Sequence, residues 1–436
     1  MKSFQTILLI IFAFFIVGAV LIFSGVIGGG NSSTDKLIQQ PAILWGTLPK
    51  EQITDVLQKA ILAGDRFTIS YVEKDERTFA LDLVDALASG EGPDLILAPH
   101  TLLLKQADKL LPLPYSSFSE RLYRDSFIEA SEVLLEADYV TALPLYLDPL
   151  VMYWNRDMFT KAGIATAPHS WLEIQLLPER LTKRDGKGNI TESAVALGGV
   201  SNINHFKDIL SAQIMQTGNK IVAVDKLKDA EGAAQFNRRV VLSVDGGADS
   251  ALRYFTEFAN PSLSKYSWNS AKHNSLDEFI GGRLAVYFGK ASDLPTIRER
   301  NPHLNFDVET LPQISDSPTR ATYTDIYALG LLKNSKNADA AFAVAYRMSL
   351  GGSAATFSEA LNLPPARRDL LSVPPTDPYL SVFYKSAVIS KNWYDPDSVT
   401  TRNIFADMVE SVMIGKSGAQ AAISSADARL RSLLGI

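Results

Sequence analysis

The pattern of hydrophobic positions divides the chain into an uncharged run, a polar stretch and a long alternating body. Residues 7–27, ILLIIFAFFIVGAVLIFSGVI, carry no charge. At about 1.5 Å per residue, such a helix reaches about 31 Å, matching a hydrocarbon core roughly 30 Å thick. No small-x-small cleavage site is placed convincingly before Gly28-Gly29-Gly30, so the segment reads as an uncleaved signal anchor. Lys2 is the only charged side chain before it. That bias leaves residues 1–6 in the cytoplasm and the rest outside, as a single-pass cell-membrane protein with an extracytoplasmic body. Residues 28–40, GGGNSSTDKLIQQ, read as a flexible tether with an r.m.s. span of about 20 Å.

Beyond the tether, short apolar runs alternate with helical stripes. Ala42–Trp45 reads as a buried strand, and Glu51–Ala63 places Ile53, Val56, Leu57, Ala60 and Ile61 on one helical face. Phe67, Ile69 and Tyr71 alternate as a strand. Phe79, Leu83, Val84 and Leu87 form a second stripe, and Gly92-Pro93 precedes the strand Asp94–Ala98. Strands alternating with helices predict a parallel sheet with crossover helices, an α/β fold. Two apolar runs, Tyr139–Tyr146 and Leu150–Trp154, flank Asp148-Pro149, where the chain is expected to leave one sheet for another. Residues 158–302 read as mainly helical, with weaker strands at Ala194–Leu197 and Leu284–Phe288. Phe306–Leu311 and Ile326–Leu332 are expected to return to the first sheet. Helices follow at Ala338–Ser349, Ser353–Ala360, Tyr379–Ser390, Thr400–Ile414 and Ala419–Leu434.

Composition narrows the chemistry. With 46% apolar and 21% charged residues the chain is ordinary globular material, and 436 residues suffice for two to three domains. A net charge of −6 gives no reason to expect nucleic acid as a partner. The absence of cysteine excludes disulfides, thiolate metal sites and cysteine nucleophiles. Phosphate loops are unsupported, because Gly289-Lys290 is followed by Ala291 and Gly415-Lys416-Ser417 lacks its upstream glycine. His100, His169, His205, His273 and His303 are far apart, and neither HExxH nor GxSxG occurs. Asp245–Asp249 lacks the spacing of a calcium loop. Asp395 and Asp397 around Pro396 read as solvated turn formers. No cofactor, metal or catalytic residue is expected.

The stretch Ala137–Ile174, taken with Ala86–Pro99, resembles the family-one extracellular solute-binding proteins, the maltose-binding type. The resemblance rests on Gly92-Pro93-Asp94, Ala142-Leu143-Pro144, Asp148, Trp154-Asn155-Arg156-Asp157-Met158-Phe159 and Pro168-His169-Ser170-Trp171-Leu172-Glu173, in that order and spacing. Weaker echoes at Phe279–Val286, Val308–Pro312 and Ile326–Lys333 extend it over about residues 41–435. It implies a two-lobed, type II periplasmic-binding-protein-like fold beyond an N-terminal transmembrane helix. Residues 41–147 and 308–352 would form the first lobe, and residues 148–307 and 353–436 the second. It further implies a monomer that passes a small polar solute, a carbohydrate above all, to an ABC permease. A solute-sensing ectodomain and an exported glycan hydrolase using Asp148 and another carboxylate are the alternatives.

Such a cleft lies outside the carboxyl ends of strands. Thr47, His100 and Thr101 follow first-lobe strands, and Tyr146 and Asp148 mark the crossing. Asn204, His205 and Lys290 are the second-lobe candidates; Tyr323, Asp325, Trp393 and Arg402 come from the return and tail segments. Aromatic rings would stack on apolar sugar faces while carboxylates and amides bind hydroxyls. Each has a structural rival. Thr101 also suits the N-cap of a helix over Leu102–Leu110, Asn204 and His205 suit helix caps, and Asp148-Pro149 suits a turn. Trp154, Trp171 and Tyr153 read as core, and Trp393-Tyr394 as exposed aromatics. Ala98, Thr101, Leu102 and Lys290-Ala291 stand where the maltose-binding type carries stacking and charged residues, which leaves another sugar, a polyol phosphate or a non-carbohydrate open as ligand.

Overall fold

The computed structural model describes residues 41–60, 68–228, 234–244 and 246–436. The expected membrane span 7–27 and tether 28–40 lie outside these, and among the described residues no helix is long and apolar enough to cross a membrane. Strand β1 (Ala42–Gly46), helix α1 (Lys50–Ala60), β2 (Ile69–Glu73), α2 (Phe79–Ser89) and β3 (Leu95–Pro99) alternate as the hydrophobic pattern predicts. β1 lies between β2 and β3, parallel to both. Leu44 and Leu95–Ala98 are buried because helices cover both sheet faces, while Ile53, Val56 and Leu57 form the buried stripe of α1. Gly90 ends α2 at φ 73, a left-handed position that a side chain would strain. Helix α3 (His100–Lys105) follows β3 directly.

Strand β4 spans Leu143–Asn155 without interruption, where the sequence suggested two strands in different sheets. Pro149 is tolerated because its missing N–H falls at a change of neighbours. Up to Pro149, β4 pairs with the strand Thr322–Leu331; from Leu150 it pairs with Leu284–Lys290 and from Val151 with Phe306–Thr310. The second lobe adds β5 (Ile190–Val195), α4 (Phe206–Gln216), the hairpin β6 (Val222–Lys228) and β7 (Ala234–Val240), α5 (Gly247–Glu257), β8 (Leu284–Lys290) and β9 (Phe306–Thr310). The hairpin lies in the region read as mainly helical. Strand β9 does not return to the first sheet: Phe306 to Thr310 pair with Asn155 to Val151 of β4. Only β10 (Thr322–Leu331) does so, inserting antiparallel between β3 and β4.

The remaining described residues include the helices α6 (Ala338–Ser349), α7 (Gly351–Leu361), α8 (Pro378–Val388), α9 (Ser398–Met413) and α10 (Ala419–Leu434), with a single turn of helix at Arg368–Leu371 between α7 and α8. α7 packs on α1 and β4, so the first lobe's packing continues past residue 352; α9 and α10 pack on each other and on α5. A single ten-stranded sheet thus runs through both lobes, with β4 shared.

The hairpin reaches back across the sequence. Lys226 Nζ lies 2.6 Å from Glu120 Oε2, and an Arg238 guanidinium nitrogen lies 2.6 Å from Glu136. Such partly exposed pairs contribute about 0.2–1 kcal/mol each and are weakened by salt. Lys226→Glu is therefore expected to lower the unfolding free energy by about 1 kcal/mol at low ionic strength. Adding Glu120→Lys should recover much of it, and the difference should shrink in about 1 M salt; denaturant titration of the four chains measures this.

Candidate functional site

Strand periodicity sets the centre of the site. Tyr323, Asp325 and Tyr327 alternate along β10 on one face, and all three line a cavity of about 500 Å³. Pro99 at the end of β3 and Thr101 in the first turn of α3 border it, as does Glu76 from the loop after β2. Opposite stand His205, Phe206, Lys207 and Asp208 at the start of α4, and Ser398, Val399, Arg402 and Asn403 from the first turns of α9. The cavity is the cleft between the lobes.

A network of buried charges supports its walls. Lys290 Nζ, at the end of β8, lies 3.1 Å from carboxylate oxygens of both Asp208 and Asp325 and 4.4 Å from the Tyr323 ring centroid. Burial opposes its charge, but Asp208, Asp325 and Asp148 outweigh that and push the ammonium above its ordinary pKa. Asp208 is half-buried, and Lys290 and His205 hold it below the usual carboxylate range against the effect of desolvation. His205 adopts φ 57 at the N-cap of α4. Its ring nitrogens face Asp208 at 3.7 Å and Asp293 at 3.6 Å. Burial disfavours the imidazolium, but these two carboxylates prevail and raise it to about 9. Lys207 is held by Asp395 at 2.6 Å and by the Thr401 hydroxyl at 3.1 Å.

Asp148 sits behind the cavity. It accepts the Ser292 N–H at 3.0 Å and the Ser292 hydroxyl at 2.5 Å, and it lies directly across the ladder from Asp325. Burial pushes its carboxyl up to about 6, against the pull of Lys290. It is neither a turn residue nor part of the cavity lining.

Of the residues singled out from sequence, Thr101, His205, Tyr323, Asp325 and Arg402 meet around the cavity. The Arg402 guanidinium lies 5.0 Å from the Phe206 ring centroid and has no carboxylate within ion-pair distance among the described residues. Thr101 is not the helix cap, since Pro99 holds that position. His100 is fully buried away from the cavity; its Nδ1 accepts the Ile326 N–H at 3.3 Å, and burial lowers its pKa. Tyr146 is buried beneath Tyr327, with rings stacked at 4.6 Å and 11°. Asn204 Oδ1 accepts from Ser275 and from the Leu276 N–H, anchoring helix Ser275–Ile280. Thr47 is half-buried outside the cavity lining.

Two aromatic and acidic expectations are corrected. Trp393 is 4% exposed, stacked on Phe405 at 6.0 Å, because the loop before α9 folds inward. Asp395 is completely buried, since Lys207 neutralises it; only Asp397 behaves as a turn former, capping α9 through the N–H groups of Val399 and Thr400. Tyr327, Lys207, Asp208 and Glu76 were not anticipated. Tyr327 was available from the period-two relation to Tyr323, and Glu76 from the loop after β2, which follows the same strand-end rule as Thr101.

The family profile of bacterial extracellular solute-binding proteins matches residues 58–380. This chain belongs to that family. Comparison with curated protein sequences finds no match. The fold of this solute-binding protein is similar to the cyclic alpha-maltosyl-1,6-maltose binding protein of Arthrobacter globiformis, with TM-score 0.72, 14% identity and 91% and 99% of the two chains covered. The GacH receptor of Streptomyces glaucescens gives TM-score 0.67 at 18% identity, covering 91% of this chain and 98% of that one. A Thermotoga lettingae ABC transporter solute-binding protein bound with alpha-D-tagatose gives 0.65 at 19%, covering 91% and 100%. These likenesses establish the two-lobed α/β fold. Among the described residues no group of three or more His, Cys, Asp or Glu side chains is placed to hold a metal ion.

The raised His205 pKa has a pH signature. Between the ordinary imidazole value near 6.5 and about 9, the folded chain keeps a proton that the unfolded chain has lost. The stabilisation is therefore complete below 6.5 and declines as pH rises through about 9. Thermal unfolding midpoints across this window are expected to fall in the native chain and to fall less in His205→Gln.

Proposed function

We propose that the protein captures a carbohydrate in the interlobe cavity and delivers it to an ABC permease, without chemical change to the sugar. The observation that carries this reading is the pairing of a fixed aromatic face with ionised carboxylates around one cavity. Tyr327, backed by Tyr146, supplies a flat apolar surface for a sugar ring, while Asp208, held ionised by Lys290, and Asp325, 3.1 Å from the same ammonium, accept from hydroxyls. Thr101, Ser398 and Asn403 add neutral donors and acceptors. Solved structures of similar fold include proteins in complex with maltotetraose, with mannotriose and with alpha-D-tagatose, which supports a saccharide over an amino acid or peptide. A hydrolase reading is disfavoured because Asp148, its proposed carboxylate, lies behind the wall, with both oxygens accepting from Ser292. The body is monomeric, lies outside the cell and is held there by residues 7–27, so that the tether keeps it near its permease at an effective concentration on the order of millimolar.

Calorimetric titration with maltotriose, mannobiose, tagatose and related neutral sugars is expected to give saturable binding to at least one of them with no product formed. For that sugar, Tyr327→Ala and Asp325→Asn should each raise Kd by about tenfold. Appearance of a cleaved product, or binding insensitive to both substitutions, would overturn the assignment.

A further inference from the structure

Beneath the β6–β7 hairpin lies another cavity, of about 380 Å³, which shares no lining residue with the interlobe site. Its walls come from residues 124–135 of the first lobe, residues 215–226, Phe236 and Arg238 of the second, Thr319, and the segment Lys391–Tyr394. Five basic side chains line it, Arg124, Lys220, Lys226, Arg238 and Lys391, against only Glu129 and Glu132. Glu120 and Glu136, outside the lining, share in holding Arg124, Lys226 and Arg238, and Lys391 pairs with Glu129. Lys220 is exposed and has no carboxylate within ion-pair distance among the described residues.

Hydrogen-bond accounting adds a second, independent observation. Trp393 Nε1, Arg238 Nε and Asn219 Nδ2 are buried and find no acceptor in the protein, and all three residues line this cavity. None of the residues lining the interlobe site carries such an unmet atom. The unmet atoms are all donors. A buried donor without an acceptor is costly, and the occupant that relieves three of them must bring oxygens rather than hydrogens. Arg238 is fixed for this role, its guanidinium 4.0 Å from the Tyr394 ring centroid and one terminal nitrogen bound to Glu136. Phe236 and Trp393 offer apolar surface beside it.

We propose that the cavity under the hairpin is a second ligand site, for a small oxyanion bearing a carboxylate or phosphate, held by Lys220, Arg238 and the indole N–H of Trp393. Because its walls belong to both lobes, the occupant bears on their relative position as well as on the hairpin. The proposal does not depend on the sugar reading of the first cavity.

Equilibrium dialysis of the full chain in detergent micelles tests it, with radiolabelled inorganic phosphate and citrate as probes at fixed ionic strength. The expected result is saturable binding of one molecule of phosphate, citrate or both, the pattern distinguishing the two sources of oxyanion. Lys220→Gln and Trp393→Phe, the latter keeping the ring and losing the donor, should each weaken it by about tenfold, while Tyr327→Ala should leave it unchanged. Lys220 is exposed, so its replacement keeps the test interpretable should Trp393→Phe fail to fold. Failure of both anions to bind saturably at millimolar concentration, or binding unaffected by Lys220→Gln, would overturn the proposal. Loss of anion binding in Tyr327→Ala would do so as well, by placing the anion in the first cavity.

Discussion

A buried ammonium among three carboxylates is the constraint around which this molecule is arranged. Lys290 ends one strand of the second lobe, Asp325 lies on the strand inserted into the first, Asp148 lies on the strand they share, and Asp208 opens a helix. Removing a charge from water carries a large desolvation penalty, which only close partners offset. Two aspartates facing one another across adjacent strands repel, and Lys290 is what makes Asp148 and Asp325 compatible. The ion cluster therefore fixes how strand, strand and helix meet at the junction of the lobes.

The same cluster gives the cleft its chemical character. Burial alone would push aspartates toward neutrality and make them donors as often as acceptors. Cationic partners hold Asp208 ionised, and His205 remains charged because Asp208 and Asp293 flank it. The wall thus presents acceptors fixed in direction, beside a tyrosine ring whose orientation is set by the ring stacked behind it. An arrangement of this kind is organised before a ligand arrives, so less ordering remains to be done on binding.

Much of the architecture was legible in apolar spacing. The order of strands and helices from Ala42 to Pro99 and the helices Ala338–Ser349 and Ala419–Leu434 follow their hydrophobic patterns, although Val84, read into the stripe of α2, is 41% exposed while Phe79 and Leu83 are buried. The hairpin was missed although Val222 and Val224, and Ala234, Phe236 and Val240, fall at even spacing, because charged residues interrupt both runs and little of either strand is buried. Strand β4 was read as two because proline usually ends a central strand, and only tertiary pairing shows that Pro149 sits where one ladder gives way to another. The cleft residues divide similarly. Those at strand ends or in the first turn of α4 were within reach of general rules, whereas the burial of Trp393 and Asp395 depends on Lys207 and Phe405, partners distant or unmarked in sequence.

The shared strand has a consequence for how the protein comes apart. Thirteen residues of β4 contribute side chains to the interiors of both lobes, and its main chain is bonded into both halves of the sheet. Cutting the polypeptide near Asp148 would not release two stable fragments. The first fragment would lose β10 from between β3 and β4, and β10 would gain unpaired edges in the second, so the stability of the two halves is coupled through these ladders. The molecule is two-lobed in outline, yet a single strand ties its halves together.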